Sequence, residues 1–455
     1  MKKVQQPNRK TLTVRPTVRR ALTVATSRIQ RQLLIGLITG IVVMSVIVLS
    51  GQELKHVPPA APTFTVLHSF AGYPTDGTAP FGVLGDAAGN LYGTTFNGGA
   101  NDAGVVYKLS SGGAETILYS FSGGADGENP TGRLVQDAAG NLYGTTAFGG
   151  AQCQEGGLLP GTCGVVFKLS PGGTETVLHA FTGHPTDGAV PVGPLIRVAG
   201  GNLYGNTANG GAFSPCVQGF FSGCGTVFKL GPNGAESVLY NFTGGPEGGN
   251  PVGGLIRDAA GNLYGTTAAG GTASTNLCAG GCGTVFKLGP SGTETVLYRF
   301  TGKADGGQPT AELIQDANGN LYGITLLGGV KSSACVGGFC GVVFKLSPTG
   351  TETVLYRFTG GADGGNPDAG LIQDAAGNLY GTTVSGGASN LGVVFELIRC
   401  DSGSSGYDFK VLYSFTGPDG ASPSSTLIRD PAGNLYGTTY VGGAYGHGVV
   451  FKLTP

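Results

Sequence analysis

Seven acidic residues stand directly before glycine in loops such as ADGGNP. The set is Asp76, Asp126, Asp187, Glu247, Asp305, Asp363 and Asp419. An Asp-Gly pair is typical of a tight turn, because the carboxylate accepts backbone amides and glycine tolerates positive φ. The alternative is a ligand-binding face. Calcium would suit its carboxylate and amide oxygens, but the loop lacks the further acids of an EF-hand, so no cofactor is predicted and calcium stays open.

A second polar set ends short apolar runs such as GGLIRD. It comprises Gln136, Arg197, Arg257, Gln315, Gln373 and Arg429, with Gly85 at the first copy. If these runs surround an axis, the polar side chains could line a central channel. The alternative is that they form hydrogen bonds between neighbouring units at the ends of strands.

Catalytic residues are not indicated by spacing. His68 and His179 occupy a position where the other copies of VLYSF carry Tyr, which favours a packed or edge-strand role. A Ser, His and acid triad cannot be inferred from separate lone histidines.

Eight of the nine cysteines occur as close pairs inside one variable loop of the repeat. The pairs are Cys153 with Cys163, Cys216 with Cys224, Cys278 with Cys282, and Cys335 with Cys340. Local disulfides in an oxidising compartment are predicted, with Cys400 left as a free thiol. Metal binding is disfavoured at these loops, because they contain no histidine and two cysteines make a poor zinc site.

These residues are positioned by a repeat whose core, GNLYG, appears seven times at spacings of 51 to 61 residues. Each unit contains four short runs of strand-forming residues, of the kind GGLIRD, NLYGTT, GTVFKL and ETVLYRF, separated by Gly, Pro, Asn and Asp. We therefore predict an all-β, seven-bladed β-propeller of four-stranded blades, with a linear solenoid as the weaker alternative. The tyrosines of GNLYG are expected to pack in the core.

The order of the runs predicts how the ring closes. The first repeat-like segment is TVLHSF (residues 65–70), the fourth run of a unit, whereas the last is GVVFKL (residues 448–453), the third. The N-terminal strand is therefore expected to be the outer strand of the last blade, which would tie the two ends of the propeller together.

The N-terminal region differs from the repeats. Residues 1–32 are basic without any acid and predict a cytoplasmic tail, and residues 33–51 form an uncharged apolar segment that suits a signal anchor helix or a signal peptide. Residues 52–63 would be a linker and residues 64–455 the propeller. After residue 55 the chain has 16 Lys or Arg and 26 Asp or Glu, a net charge near −10, which argues against nucleic acid as a partner.

The units GNLYGTT, GVVFKL and ETVLYSF resemble those of the bacterial choice-of-anchor GloVer-type tandem repeat proteins, over residues 64–455. The order of Asp, turn Gly-Asn and aromatic strand is also similar to propeller repeats in the sensor domains of two-component regulators. That similarity implies that GGLIQD is the inner strand. The family resemblance implies an exported protein whose means of attachment varies between members, and it supplies no catalytic residues.

Together these features predict an extracytoplasmic, membrane-anchored and monomeric propeller that binds a protein or carbohydrate ligand without catalysis. The alternative is an enzyme of the lyase or hydrolase type that uses the central channel. Converging His, acid and Arg groups at the channel would favour the enzyme, whereas a lining of only Gly, Leu and Gln would oppose it.

Overall fold

The computed structural model describes residues 61–153, 162–213, 216, 222–272, 278, 280–400 and 406–455. The predicted cytoplasmic tail and the apolar segment at residues 33–51 lie outside this range. Over the described part of the chain, no helix is both long enough and apolar enough to span a membrane.

Twenty-eight strands, numbered in chain order, form seven four-stranded antiparallel sheets over these ranges. The innermost strands are β2 (Gly77–Gly85), β6 (Glu128–Gln136), β10 (Gly188–Arg197), β14 (Ile256–Arg257), β18 (Ile314–Gln315), β22 (Ile372–Gln373) and β26 (Ile428–Arg429). The second strands are β3 (Leu91–Gly98), β7 (Leu142–Phe148), β11 (Leu203–Gly210), β15 (Leu263–Thr267), β19 (Leu321–Thr325), β23 (Leu379–Thr383) and β27 (Leu435–Thr439). The third strands are β4 (Val105–Leu109), β8 (Val165–Leu169), β12 (Thr226–Leu230), β16 (Thr284–Leu288), β20 (Val342–Leu346), β24 (Val393–Arg399) and β28 (Val449–Thr454). The outer strands are β5 (Glu115–Ser120), β9 (Glu175–Ala180), β13 (Glu236–Asn241), β17 (Glu294–Arg299), β21 (Glu352–Arg357), β25 (Tyr407–Ser414) and β1 (Thr63–Ser69). The predicted seven-bladed all-β propeller is confirmed.

The second and third strands lie deepest in each blade. In β16, for example, every residue except Lys287 is buried, because both faces of the sheet pack against other blades. A single short helix of the 3-10 type, Val336–Gly338, occurs in the described part of the chain, inside a loop.

The inner strands are shorter in the last four blades than GGLIRD predicts. In the fourth blade only Ile256 and Arg257 pair with β15. The two glycines before Leu255 approach the neighbouring blades instead, since a Cβ on Gly253 would lie 2.5 Å from the carbonyl oxygen of Ala311 and one on Gly254 would lie 2.6 Å from Pro194. That segment therefore turns towards the axis of the ring and leaves the ladder.

Strand β1 joins the two ends of the described chain. It pairs antiparallel with β28, with Phe64 opposite Leu453 and Ser69 opposite Val449, so the last sheet has the order β1, β28, β27, β26. The outer position of the last blade is thus filled from the N-terminal side of the propeller.

An aromatic ring from each outer edge packs against the third strand of the next blade. Phe300, which follows β17, contacts Phe344 of β20 edge to face, with 5.1 Å between ring centroids, and neither side chain is exposed. The same contact recurs around the propeller, including between Phe70 and Tyr107, where the last blade meets the first. These buried aromatic pairs fix neighbouring blades to one another.

Each of the four predicted disulfides is present in the loop between a second and a third strand. The bridges are Cys153–Cys163, Cys216–Cys224, Cys278–Cys282 and Cys335–Cys340, and the thiol of Cys400 is free.

Candidate functional site

An axial cavity of about 400 Å³ lies where the seven blades meet. Each blade contributes the residues between a recurring proline and the buried apolar residue of its inner strand. They are Phe81 and Gly82, then residues 131–133, 192–194, 252–254, 310–312, 368–370 and 424–426. A concave site of this volume, shared by all blades, falls in the range of small-molecule sites.

The repeat fixes these segments from behind. In the fourth blade the Leu255 side chain is buried against Gly265 of the GNLYG core, where a Cβ would lie 2.9 Å from Leu255 and 2.7 Å from Phe286. The glycine leaves room for both side chains, so the strand packs tightly. The three residues before the leucine are thereby held at the axis.

Three ionisable side chains face this cavity from different blades. Arg133 of the second blade lies 3.7 Å from Glu312 of the fifth, measured from Nη2 to Oε1. Asp368 of the sixth blade accepts a 2.8 Å hydrogen bond from the hydroxyl of Thr310. Burial raises the pKa of the Asp368 carboxyl, and the bond from Thr310 opposes this only in part. The site thus combines an ion pair with a carboxyl group that binds its proton more tightly than usual.

Hydroxyl and backbone groups form much of the remaining lining. Thr131 donates to the carbonyl of Pro191 at 3.0 Å, and the amide of Gly370 donates to Thr426 at 3.0 Å. Phe81 adds one aromatic side chain. The described lining contains no histidine. The cavity offers Arg, acid and hydroxyl groups, which is less than the converging His, acid and Arg expected of an enzyme but more than a lining of only Gly, Leu and Gln.

The polar residues that end the inner strands lie elsewhere. The cavity lining comes from positions three to five residues earlier in each unit and includes none of Gln136, Arg197, Arg257, Gln315, Gln373 and Arg429. Arg197 lies over the ring of Tyr143 in the preceding blade, 5.4 Å from its centroid, and 3.9 Å from Asp137. Such contacts arise because the strand end meets the turn of the neighbouring blade, and Arg257 and Arg429 lie over Tyr204 and Tyr380 in the same way.

The seven acids before glycine lie at the junctions between blades. Asp305 accepts hydrogen bonds from the hydroxyl of Tyr298, 3.2 Å, and from the amide of Thr301, 2.8 Å. Asp126, Asp363 and Asp419 make equivalent contacts with a tyrosine and a turn amide. At Asp76 and Asp187 the tyrosine is replaced by histidine, and Glu247 keeps one buried carboxylate oxygen without a hydrogen-bond partner. The turn geometry expected of Asp-Gly thus uses these carboxylates within the fold.

The sequence contains a signal for Arg133, Glu312 and Asp368, which were not among the predicted site residues. The units read PTGRL, PTAEL and PDAGL there, and the three positions between proline and leucine vary while their flanks recur. Variation within an otherwise constant repeat therefore marks the cavity, whereas the residues that recur build the blades.

The family model described as the Gloeobacter/Verrucomicrobia repeat matches residues 55–275, 213–399 and 332–455. The resemblance inferred from the repeat units is thereby confirmed. None of the curated proteins matches the sequence.

Among solved structures, the extracellular domain of a putative hybrid two-component system from B. thetaiotaomicron has a TM-score of 0.51 at 13% identity. The alignment covers 87% of this chain and 42% of that one, so the chain spans less than half of its length. A gluconolactonase from Xanthomonas campestris has a TM-score of 0.39 at 12% identity, covering 88% and 93% of the two chains. The first similarity shows the fold alone, and the second is too low to support any inference.

Proposed function

The chain belongs to the Gloeobacter/Verrucomicrobia repeat family, and from its axial cavity we propose that it is an exported binding module for a carbohydrate ligand. The observation that supports this most directly is the chemistry of the lining. Arg133, Glu312 and Asp368 converge among hydroxyl groups and backbone amides.

A carbohydrate suits this lining because its hydroxyl groups both donate and accept hydrogen bonds. The guanidinium of Arg133 donates, the carboxylate of Glu312 accepts, and the threonine and serine hydroxyls do either. Phe81 supplies an apolar surface for one face of a sugar ring. Hydrogen bonds to charged groups discriminate strongly between ligands. A ligand that covers a charged group without pairing with it incurs the full desolvation cost of that group.

Export is part of the same proposal. Four disulfides persist in oxidising compartments, and the basic residues 1–32 before an uncharged segment at 33–51 suit an N-terminal anchor with the propeller outside the cytoplasm. The net charge near −10 after residue 55 disfavours nucleic acid as a ligand.

The test is binding of neutral and acidic saccharides to the full chain, first by thermal shift and then by calorimetry. Arg133→Met and Asp368→Asn should each weaken binding about tenfold or more, because each removes a charge-assisted or buried hydrogen bond. Lys303→Ala, on an exposed loop, is the matched control and should bind as wild type. If no saccharide binds, or if the cavity variants bind as well as wild type, the proposal is wrong, and a protein ligand on the outer surface becomes the better explanation.

An enzyme of the lyase or hydrolase type is the second candidate, and Asp368 is the observation in its favour. A carboxyl whose pKa is raised by burial can donate a proton to a leaving group. The same saccharides, incubated with wild type and Asp368→Asn, distinguish the two. Product formed only by wild type would support catalysis, and binding without product would support the binding module.

A further inference from the structure

Two of the seven blade junctions differ from the rest in the residue that faces the acid. Where the last blade meets the first, His68 of β1 takes the place of tyrosine, and where the second meets the third, His179 of β9 does so. Each histidine lies beside two carboxylates from other elements, Asp76 with Glu115 and Asp187 with Glu236. The result is two clusters of one imidazole and two carboxylates.

The donor atoms of each cluster converge. His68 Nε2 lies 3.3 Å from Asp76 Oδ2 and 3.8 Å from Glu115 Oε2, and all three ligand atoms lie within 4.8 Å of one another. His179 Nε2 lies 3.2 Å from Asp187 Oδ2, and Glu236 completes the second cluster within the same limit. Two ligands that are each about 2.0–2.1 Å from one tetrahedral zinc ion are about 3.3 Å apart. Each histidine–aspartate pair is a hydrogen bond in this structure, and its separation is also that of two ligands of one ion.

The aspartates of these junctions are also placed differently. Asp76 and Asp187 are 7% exposed, whereas the acids at the five other junctions are only partly buried. A longer loop is the cause. Both loops contain Pro-Thr-Asp-Gly, and their aspartate follows the histidine by eight residues. At the junctions of Tyr119, Tyr298 and Tyr356 the acid follows the tyrosine by seven residues. Histidine and the longer loop thus occur together, twice, in the same chain.

Backbone amides hold each aspartate in this position. Asp76 accepts from Ala71 at 2.7 Å and from Gly77 at 2.6 Å. Asp187 accepts from Thr182 at 2.9 Å and from Gly188 at 2.6 Å. Asp187 accepts one more bond, from the Thr182 hydroxyl at 3.3 Å. Each carboxylate still has a lone pair for an ion, and groups bonded to a ligand in this way orient it for metal binding.

The glutamates provide the third ligand. Oε1 of Glu115 and of Glu236 is buried without a hydrogen-bond partner, and Oε2 of Glu115 faces the imidazole. Glu175, Glu294 and Glu352 at other junctions each have a buried Oε1 without a hydrogen-bond partner too. The histidine and the displaced aspartate are therefore what distinguish these two sites.

We propose that each cluster binds one divalent transition-metal ion of the zinc type, with a water molecule as the fourth ligand. One nitrogen and two carboxylates suit zinc, whereas calcium takes six to eight oxygen ligands and does not favour imidazole. The first site joins β1 to the first blade and would strengthen the closure of the ring. Neither site shares a residue with the axial cavity, so this proposal does not depend on the carbohydrate function.

The test is zinc binding to the full chain carrying Cys400→Ser, which removes the free thiol as a competing ligand. Calorimetry and metal analysis after dialysis should find two zinc ions in this reference, one in His68→Tyr, one in His179→Tyr and none above background in the double variant. Tyrosine is the natural residue at the five equivalent positions, so these variants should fold. Saturating zinc should raise the melting temperature of the reference but not of the double variant.

Glu115→Gln, which keeps the shape of the side chain, should weaken zinc binding at the first site about tenfold or more. The proposal is overturned if the double histidine variant binds as much zinc as the reference. It is also overturned if calcium competes with zinc at equal concentration, or if Glu115→Gln binds zinc like the reference.

Discussion

At the residue scale, a single aspartate explains why the chain repeats DAAGNLYG. Asp374 accepts four hydrogen bonds, from the amides of Ala376 and Asn378, from the Asn378 side chain and from the Tyr380 hydroxyl. These bonds lower the pKa of the Asp374 carboxyl despite the cost of desolvation. The third unit has Val198 instead and keeps two backbone bonds, from the Val198 amide to Asn202 and from the Gly201 amide to Val198, so the aspartate stabilises the turn without being required for it.

The glutamates of the outer strands have pKa values shifted in the opposite direction, upwards. Burial and, to a smaller extent, the negative charge of the neighbouring Glu247 raise the pKa of Glu294 to about 7. Burial and the charge of Asp305 raise the pKa of Glu352 to about 7 in the same way. A carboxyl whose folded pKa exceeds its unfolded value stabilises the fold fully below about pH 4.5, and this contribution is lost as the pH rises through 7. We therefore predict that the melting temperature falls between pH 5 and pH 8, and that the double variant Glu294→Gln, Glu352→Gln has a shallower fall.

Asp408→Asn, which alters an exposed acid on β25, is the control for that experiment and should keep the wild-type slope. Burial also raises the pKa of Glu175 to about 7, so the double variant should retain part of the pH dependence of the melting temperature. Identical slopes for wild type and the glutamine variant would show that folding does not raise the pKa of these two glutamates.

At the element scale, the strands were predicted from the sequence, whereas the residues that line the cavity were not. The runs NLYGTT, GTVFKL and ETVLYRF gave strand type and order, because each recurs with the same turn residues around it. GGLIRD was only partly a strand, since close approach of neighbouring backbones at Gly253 is invisible in one unit alone. Arg133 and Glu312 belong to the second and fifth blades, with two blades between them in sequence, and no pattern within one repeat unit indicates that they meet.

The loop between the second and third strands carries the cysteines, and its bridges lead to a prediction about thiols. Each bridge closes a short loop, the shortest having a sequence separation of four between Cys278 and Cys282. Titration of the unfolded, unreduced protein should find one reactive thiol, and Cys400→Ser should find none. Eight or nine reactive thiols in the wild type would contradict both the bridges and export to an oxidising compartment.

At the scale of the whole molecule, the blades form a closed circuit of aromatic contacts. Phe70 packs edge to face on Tyr107 of the first blade at 5.1 Å, and Phe415 packs on Phe451 of the last at 5.4 Å. The circuit depends on β1, because Phe64 on that strand also stacks on Tyr413 of the sixth blade at 3.9 Å. Stability is therefore expected to depend on this strand more than its length alone would suggest.

Deletion of residues 64–71 should open the ring. It would remove β1 from β28, leaving an apolar strand with unpaired backbone groups at the edge of the last blade, and would take away the contacts of Phe64 and Phe70 with both neighbours. We predict a lower melting temperature and association through the exposed edge. Deletion of residues 52–59, which removes the same number of residues from the predicted linker, should leave both properties unchanged. Thermal melting and size-exclusion chromatography compare the two, and if both deletions melt alike and remain monomeric, β1 does not close the ring.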